Sequence, residues 1–302
     1  MKKVYVISLA IGLMFFSCKS EPGETETGIV PNYETRKLNS IRKNINLSVL
    51  LDLSDRINPE KFPNPAMEYY MRDVGYLTSI AQAFEMHVRS KKSATINDKL
   101  QLFIDPEPTD IELNQKLEML RTHFTRDNAK RNSILKTSLK YDSIAHLIYQ
   151  KAIDDDHYVG SDTWGFIKNR VEDYCIESEK RNMLIILTDG YIFHKDNKRL
   201  EGNKTSYLIP QLINELDLNK SDWKTKYETK NYGFIVPEVD LSNLEVLVVG
   251  INGQQNKPYG EDILFKYWKD WLTAMNVKDI QIKLSGLPVN LDAVIKDFIL
   301  NE

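Results

Sequence analysis

The chain has 302 residues, of which 42% are hydrophobic and 27% charged, and a formal net charge of −3. That is apolar material enough for a sizeable core. Lysines and arginines are spread along the chain rather than clustered, which argues against a nucleic-acid partner. With only two cysteines, Cys18 and Cys175, the chain is not a disulfide-built scaffold.

Met1-Lys2-Lys3 opens the chain, an apolar core runs from Val4 to Phe16, and Ser17-Cys18 follows at once. The core is too short to span a bilayer as a permanent helix and has the layout of a secretory signal. A cysteine behind a small residue at that point resembles a bacterial lipoprotein signal, with residues 1–17 removed. The resemblance implies a lipid on Cys18 and attachment to a membrane through it. Residues 18–44, with Ser20-Glu21-Pro22-Gly23-Glu24-Thr25-Glu26, lack apolar periodicity and read as a flexible tether. Acidic residues just after the cysteine resemble the tethers of Bacteroidetes-type lipoproteins. That implies the outer membrane, with the domain either periplasmic or displayed outside. Cys175, left without an intramolecular partner, reads as a buried small hydrophobe.

A domain is expected over 45–302. Its first strand spans Asn46 to Leu51 and ends in Asp52. The prolines at 59, 63 and 65 hold the following loop out of helix. Met67, Tyr70, Met71, Val74, Leu77, Ile80, Ala81 and Phe84 recur at three and four, so a helix is expected from Ala66 to Arg89. Lys99 to Ile104 reads as a strand, and Ser93 to Ile96 either pairs with it as a hairpin or does not. Helical periodicity covers Asp110 to Leu120, Ile134 to Ala152, and Trp164 to Ser178. Asp154-Asp155-Asp156-His157 reads as a solvated loop, because consecutive carboxylates point in different directions.

Met183 to Leu187 is a second buried strand, and Thr188-Asp189-Gly190 closes it. The stretch from Tyr191 to Asn243 is far longer than the usual strand-to-helix connection and reads as an insertion. Leu244 to Gly250 is a strand of the same buried type. A helix over Glu261 to Met275, a strand over Asp279 to Leu284 and a helix over Leu291 to Leu300 complete the chain. Short continuous apolar runs alternating with helices predict a single α/β domain. Its sheet is expected to be doubly wound, mostly parallel and Rossmann-like, with helices on both faces.

In such sheets ligands sit beyond the carboxyl ends of the strands, where strand order reverses. Asp52 and Asp189 both close buried strands, so they are expected to face one site. Asp52-x-Ser54-x-Arg56, the distant Thr163, and Thr188-Asp189-Gly190 together resemble a von Willebrand factor A domain. That resemblance implies a metal-ion-dependent adhesion site in which Asp52, Ser54, Thr163 and Asp189 hold Mg²⁺ or Mn²⁺, with Ser161 and Asp162 of the same loop as alternatives to Thr163. Hard oxygen ligands in incomplete coordination suit such an ion and leave a position for a partner's oxygen. Where the family has a second motif serine, this chain has Arg56. Its fixed charge either swings out to pair with Asp55 or another acid, or occupies the site as a tethered cation.

The function expected is that of a lipid-anchored envelope or surface binding module, not an enzyme. It would recognise a protein partner through the strand-end face, with the insertion setting specificity. A metal-free scaffolding domain is the first alternative. A metal-dependent phosphoryl hydrolase with Asp52 as nucleophile is the second, set back by Ser54 standing where an acid–base carboxylate is needed.

Overall fold

The computed structural model describes residues 42–155, 160–253 and 257–301. The expected signal segment, Cys18 and almost all of the tether lie outside the described residues, as do Asp156 and His157.

Residues Ile45–Leu51 form β1, every one of them buried. After a 3-10 turn at Asp55–Ile57 come α1 (Tyr69–Arg89), β2 (Asn97–Ile104), α2 (Ile111–Leu120) and β3 (Thr122–Thr125). The chain continues through α3 (Arg131–Ile134), α4 (Thr137–Asp155), β4 (Gly160–Ser161), α5 (Thr163–Asn169) and α6 (Val171–Cys175) to β5 (Arg181–Leu187). The insertion holds β6 (Phe193–His194), β7 (Leu200–Glu201), β8 (Lys204–Thr205), α7 (Pro210–Glu215), α8 (Trp223–Thr229) and β9 (Gly233–Phe234). β10 (Leu244–Ile251), α9 (Gly260–Ala274), β11 (Asp279–Leu284) and α10 (Pro288–Leu300) close the fold.

Six strands make the main sheet in the order β11-β10-β5-β1-β2-β3. All neighbours are parallel except the β2–β3 pair, which is antiparallel. From β1 the chain goes first to β2 on one side and later to β5 on the other, so strand order reverses between β1 and β5. The register there sets Leu51 beside Leu187.

Side chains alternate across the sheet with period two. Ile45, Leu47, Val49 and Leu51 join one core with residues of α1, α4 and α10. Leu50, Leu184, Ile186, Val246 and Val248 join the other with α5, α9 and the insertion. Each fully buried aliphatic side chain stabilises the fold by about 1.5–3 kcal/mol. Burial on both faces is why β1, β5 and β10 read as unbroken apolar runs.

The structure differs from the sequence expectation in places with local causes. The expected helix over Trp164 to Ser178 breaks at Arg170 (φ −129°, ψ −26°), whose guanidinium pairs with Asp105 and Glu107 across the loop after β2. Residues Ser93–Thr95 form a 3-10 turn, not a hairpin arm. The antiparallel partner of β2 is β3, in which only Phe124 is buried. α10 starts at Pro288, which takes the first helical turn, where no N–H bond is lost. Among the described residues no helix is long and apolar enough to cross a membrane.

The insertion is anchored by aromatic groups. Phe234 packs against Tyr267, Trp268 and Trp271 of α9. The indole N–H groups of Trp164 and Trp271 both donate to Ile235 O, at 2.8 and 3.1 Å. Trp268 donates to Gly190 O at 2.8 Å, which ties the root of the insertion to α9.

Candidate functional site

Asp52 follows β1 directly, and its main-chain N–H extends the sheet by donating to Leu187 O at 3.0 Å. Its side chain is 2% exposed. Oδ1 accepts from Ser54 N at 2.9 Å, and Oδ2 accepts from the Thr188 hydroxyl at 2.9 Å. That hydroxyl in turn accepts from Gly190 N at 3.1 Å. The ends of β1 and β5 are thus joined by side chains as well as by the ladder, at the point where strand order reverses.

Arg56 fills the space between them. One guanidinium nitrogen, Nη2, donates to Asp73 Oδ2 at 2.6 Å, to Asp52 O at 3.1 Å and to Leu187 O at 3.1 Å. Nε lies 3.3 Å from Asp52 Oδ2, an ion contact without hydrogen-bond alignment. Asp73 comes from the inner face of α1 and also accepts from Tyr149 Oη of α4 at 3.0 Å. Both sequence alternatives for Arg56 are met in part: it stays beside Asp52 as a tethered cation and also pairs with another acid, Asp73. It pairs with Asp52 and Asp73 rather than with Asp55, which is exposed.

Burial alone would pull the Arg56 guanidinium down, but the charges of Asp73 and Asp52 outweigh it and hold it above its ordinary value. Asp73 is pushed up by burial, against the Arg56 charge and the hydrogen bonds from Arg56 and Tyr149. The two shifts are not mirror images: Arg56 sits between two acids, whereas Asp73 has a single cation to offset its loss of water. Asp189 is half-buried. It is pushed up to about 7, first by burial and then by the charge of Asp52, with Arg56 opposing. Its Oδ1 accepts from Tyr191 N at 3.0 Å. Oδ2 has no partner among the described residues.

Asp52, the Ser54 main chain, Arg56 and Asp189 come together at the β1–β5 switch. Thr163 begins α5, 1% exposed, with its hydroxyl 3.4 Å from Ser161 Oγ. No hydrogen bond joins it to Asp52, Ser54 or Asp189 among the described residues. Two contributors escaped the sequence reading, Asp73 and Tyr149, and Thr188 entered it only as part of the motif Thr188-Asp189-Gly190. Asp73 carried a signal, a carboxylate three residues after Tyr70 and four before Leu77 on the apolar stripe of α1. A buried position there demands a counter-charge. Tyr149 carried none.

The expected metal-ion-dependent adhesion site, with Mg²⁺ or Mn²⁺ on Asp52, Ser54, Thr163 and Asp189, is corrected by this geometry. A guanidinium holds the position where an ion would neutralise the carboxylates, and both oxygens of Asp52 are engaged. The Ser54 contact is made by its main chain. Among the described residues no group of three or more His, Cys, Asp or Glu side chains is placed to hold a metal ion. The donor set does not fit one.

No family model and no curated protein matches the chain. Similar solved structures include a PilB minor pilin from Streptococcus sanguinis, at 10% identity and a TM-score of 0.41 over 85% of this chain. Another is the pilus adhesin SpaC from Lactobacillus rhamnosus GG, at 10% identity and a TM-score of 0.40, again over 85% of this chain. The chain spans 61% of the former and 30% of the latter. By their descriptions these are pilus proteins. With no family model behind it, the resemblance to a von Willebrand factor A domain is not upheld.

Proposed function

We propose that this chain is a non-catalytic binding module that takes a basic side chain of a protein partner at the strand-end face, displayed from the cell envelope by a lipid on Cys18. The observation that carries this reading is the charge balance at the β1–β5 switch. One fixed cation, Arg56, faces Asp52, Asp73 and Asp189, with Asp55 acting on Asp189 from the exposed side. Arg56 is consumed by Asp73, Asp52 and two main-chain carbonyls. The acidic excess therefore falls on Asp189 Oδ2 and Asp55, the groups left for a partner. A lysine or arginine there would gain a charge-assisted hydrogen bond and relieve the repulsion that pushes Asp189 up.

The same geometry counts against the hydrolase alternative. A nucleophilic carboxylate needs a free oxygen in reach of substrate, and Asp52 offers none. The insertion leaves the sheet immediately after Asp189, which puts its first residues at the edge of the proposed contact.

The test is titration of oligolysine and oligoglutamate peptides into the native chain and into a D55N/D189N variant, at low and high salt. Saturable oligolysine binding that weakens with salt and is lost in the variant is expected. Equal binding of both peptides, or oligolysine binding unchanged in the variant, overturns the reading.

A further inference from the structure

A second site lies away from the strand ends, where the insertion meets α9. The helix runs back from the loop after β10, so its segment from Lys266 to Ala274 is remote from that loop. Together with α8 and β9 it encloses a half-open cleft of about 250 Å³. Its wall is aromatic and rigid: Tyr227, Phe234 and Trp271 are 3%, 2% and 1% exposed, locked by ring contacts and by the Trp271 bond to Ile235 O. Val236, 36% exposed, forms part of the apolar lining.

The charged groups on this lining are unequal. Lys266 is already neutralised, 2.9 Å from Asp270 and 3.9 Å from Glu228, with its ammonium 5.4 Å from the centre of the Tyr227 ring. Lys204, half-buried on β8, makes no ion pair or side-chain hydrogen bond among the described residues. Gly233 holds φ +149°, and a Cβ there would stand 3.2 Å from Tyr227 Oη and 4.0 Å from Lys204 Nζ. Asn231, two residues before, is left-handed at φ 54° as the C-terminal cap of α8, with Tyr232 N donating to Tyr227 O at 3.0 Å.

We propose that this cleft binds a small monocarboxylate with an aromatic or apolar body, its carboxylate paired with Lys204 and its body against the aromatic wall. The cleft sets one unpaired lysine, Lys204, beside the ion-paired group of Lys266, Asp270 and Glu228 and among aromatic and apolar side chains. A few placed polar groups on such a wall are the general form of a small-molecule site. One lysine without a second free cation suits a single negative charge. The cleft falls just below the range of about 300–1,000 Å³ used by drug-sized ligands, so a single ring with a short tail fits it. This site is independent of the strand-end reading.

The probe is 3-phenylpropionate, titrated into the full chain and followed by tryptophan fluorescence and saturation-transfer NMR. The neutral 3-phenylpropanamide and inorganic phosphate serve as comparisons. Saturable binding of the carboxylate is expected, at least tenfold weaker in Lys204→Gln and abolished in Ala274→Phe, which fills the cleft from an exposed position. Both variants should keep the native circular-dichroism spectrum, and D189N should bind as the native chain does. The proposal fails if the carboxylate shows no saturation by about 10 mM, a binding free energy weaker than roughly −3 kcal/mol. It fails equally if K204Q binds as tightly as the native chain, or if the amide or phosphate matches the carboxylate.

Discussion

Replacing Arg56 by Met keeps most of the side-chain length and removes the guanidinium. The change deletes the bonds to Asp73 at 2.6 Å and to the carbonyls of Asp52 and Leu187 at 3.1 Å each, together with the ion contact to Asp52. Asp73, 3% exposed at its side chain, is left with the Tyr149 hydroxyl alone. Removing one partner of a buried ion pair costs about 3–5 kcal/mol, most of it the uncompensated charge left behind. In a domain of this size each kcal/mol moves Tm by about 2–4 °C, so a fall of roughly 6–20 °C is expected. Without the cation, which lowers it, the folded-state pKa of Asp73 rises further. A carboxyl whose folded pKa lies above its unfolded one loses stability as pH rises between the two. The deficit of R56M should therefore be larger at about pH 8 than at about pH 5. Urea unfolding of the native chain, R56M, D73N and R56M/D73N at both pH values measures this. D73N should be costly alone and should restore about 1–3 kcal/mol in the R56M background. An R56M cost below about 1 kcal/mol at the higher pH, or the same D73N effect in both backgrounds, would refute the reasoning.

Asp189, pushed up to about 7 in the fold, should make native stability fall as pH rises from its unfolded value near 4 through 7. D189N should flatten that slope and, with allowance for solvent screening of a partly exposed group, gain on the order of 1 kcal/mol above pH 7. Denaturation midpoints across pH give the answer, and a native slope retained by D189N would contradict it. Gly250→Ala should destabilise by about 2 kcal/mol or more, because φ is +108° and the new Cβ would meet Thr188 O at 2.8 Å. Its unfolding midpoint tests this, and loss of the Asp52–Thr188 link should follow from the displaced Thr188 carbonyl. Cys175, fully buried and with its thiol pushed up to about 12 by burial, should react with a thiol reagent only when the chain unfolds. Labelling at the native rate of an exposed cysteine would show the opposite.

Much of the scaffold was legible in the residues. β1, β5 and β10 announce themselves because a strand covered on both faces needs apolar residues at every position, and the carboxylates at 52 and 189 mark where two of these runs stop. The edge strand β3 was not legible, since a short strand with one buried residue leaves no period to detect. The break at Arg170 was equally hidden: it accompanies ion pairs with Asp105 and Glu107, more than sixty residues upstream.

The sequence alone determined that two acids would stand at strand ends and that a cation, Arg56, would stand beside one of them. Only the tertiary structure decided which way that cation turned. Its choice depends on Asp73 and Tyr149, carried by two helices that meet only when both pack on the same face of the sheet. A local pattern states what charges a loop carries. The free energy of a buried charge depends on every partner within a few ångströms, and those partners come from wherever the fold brings them.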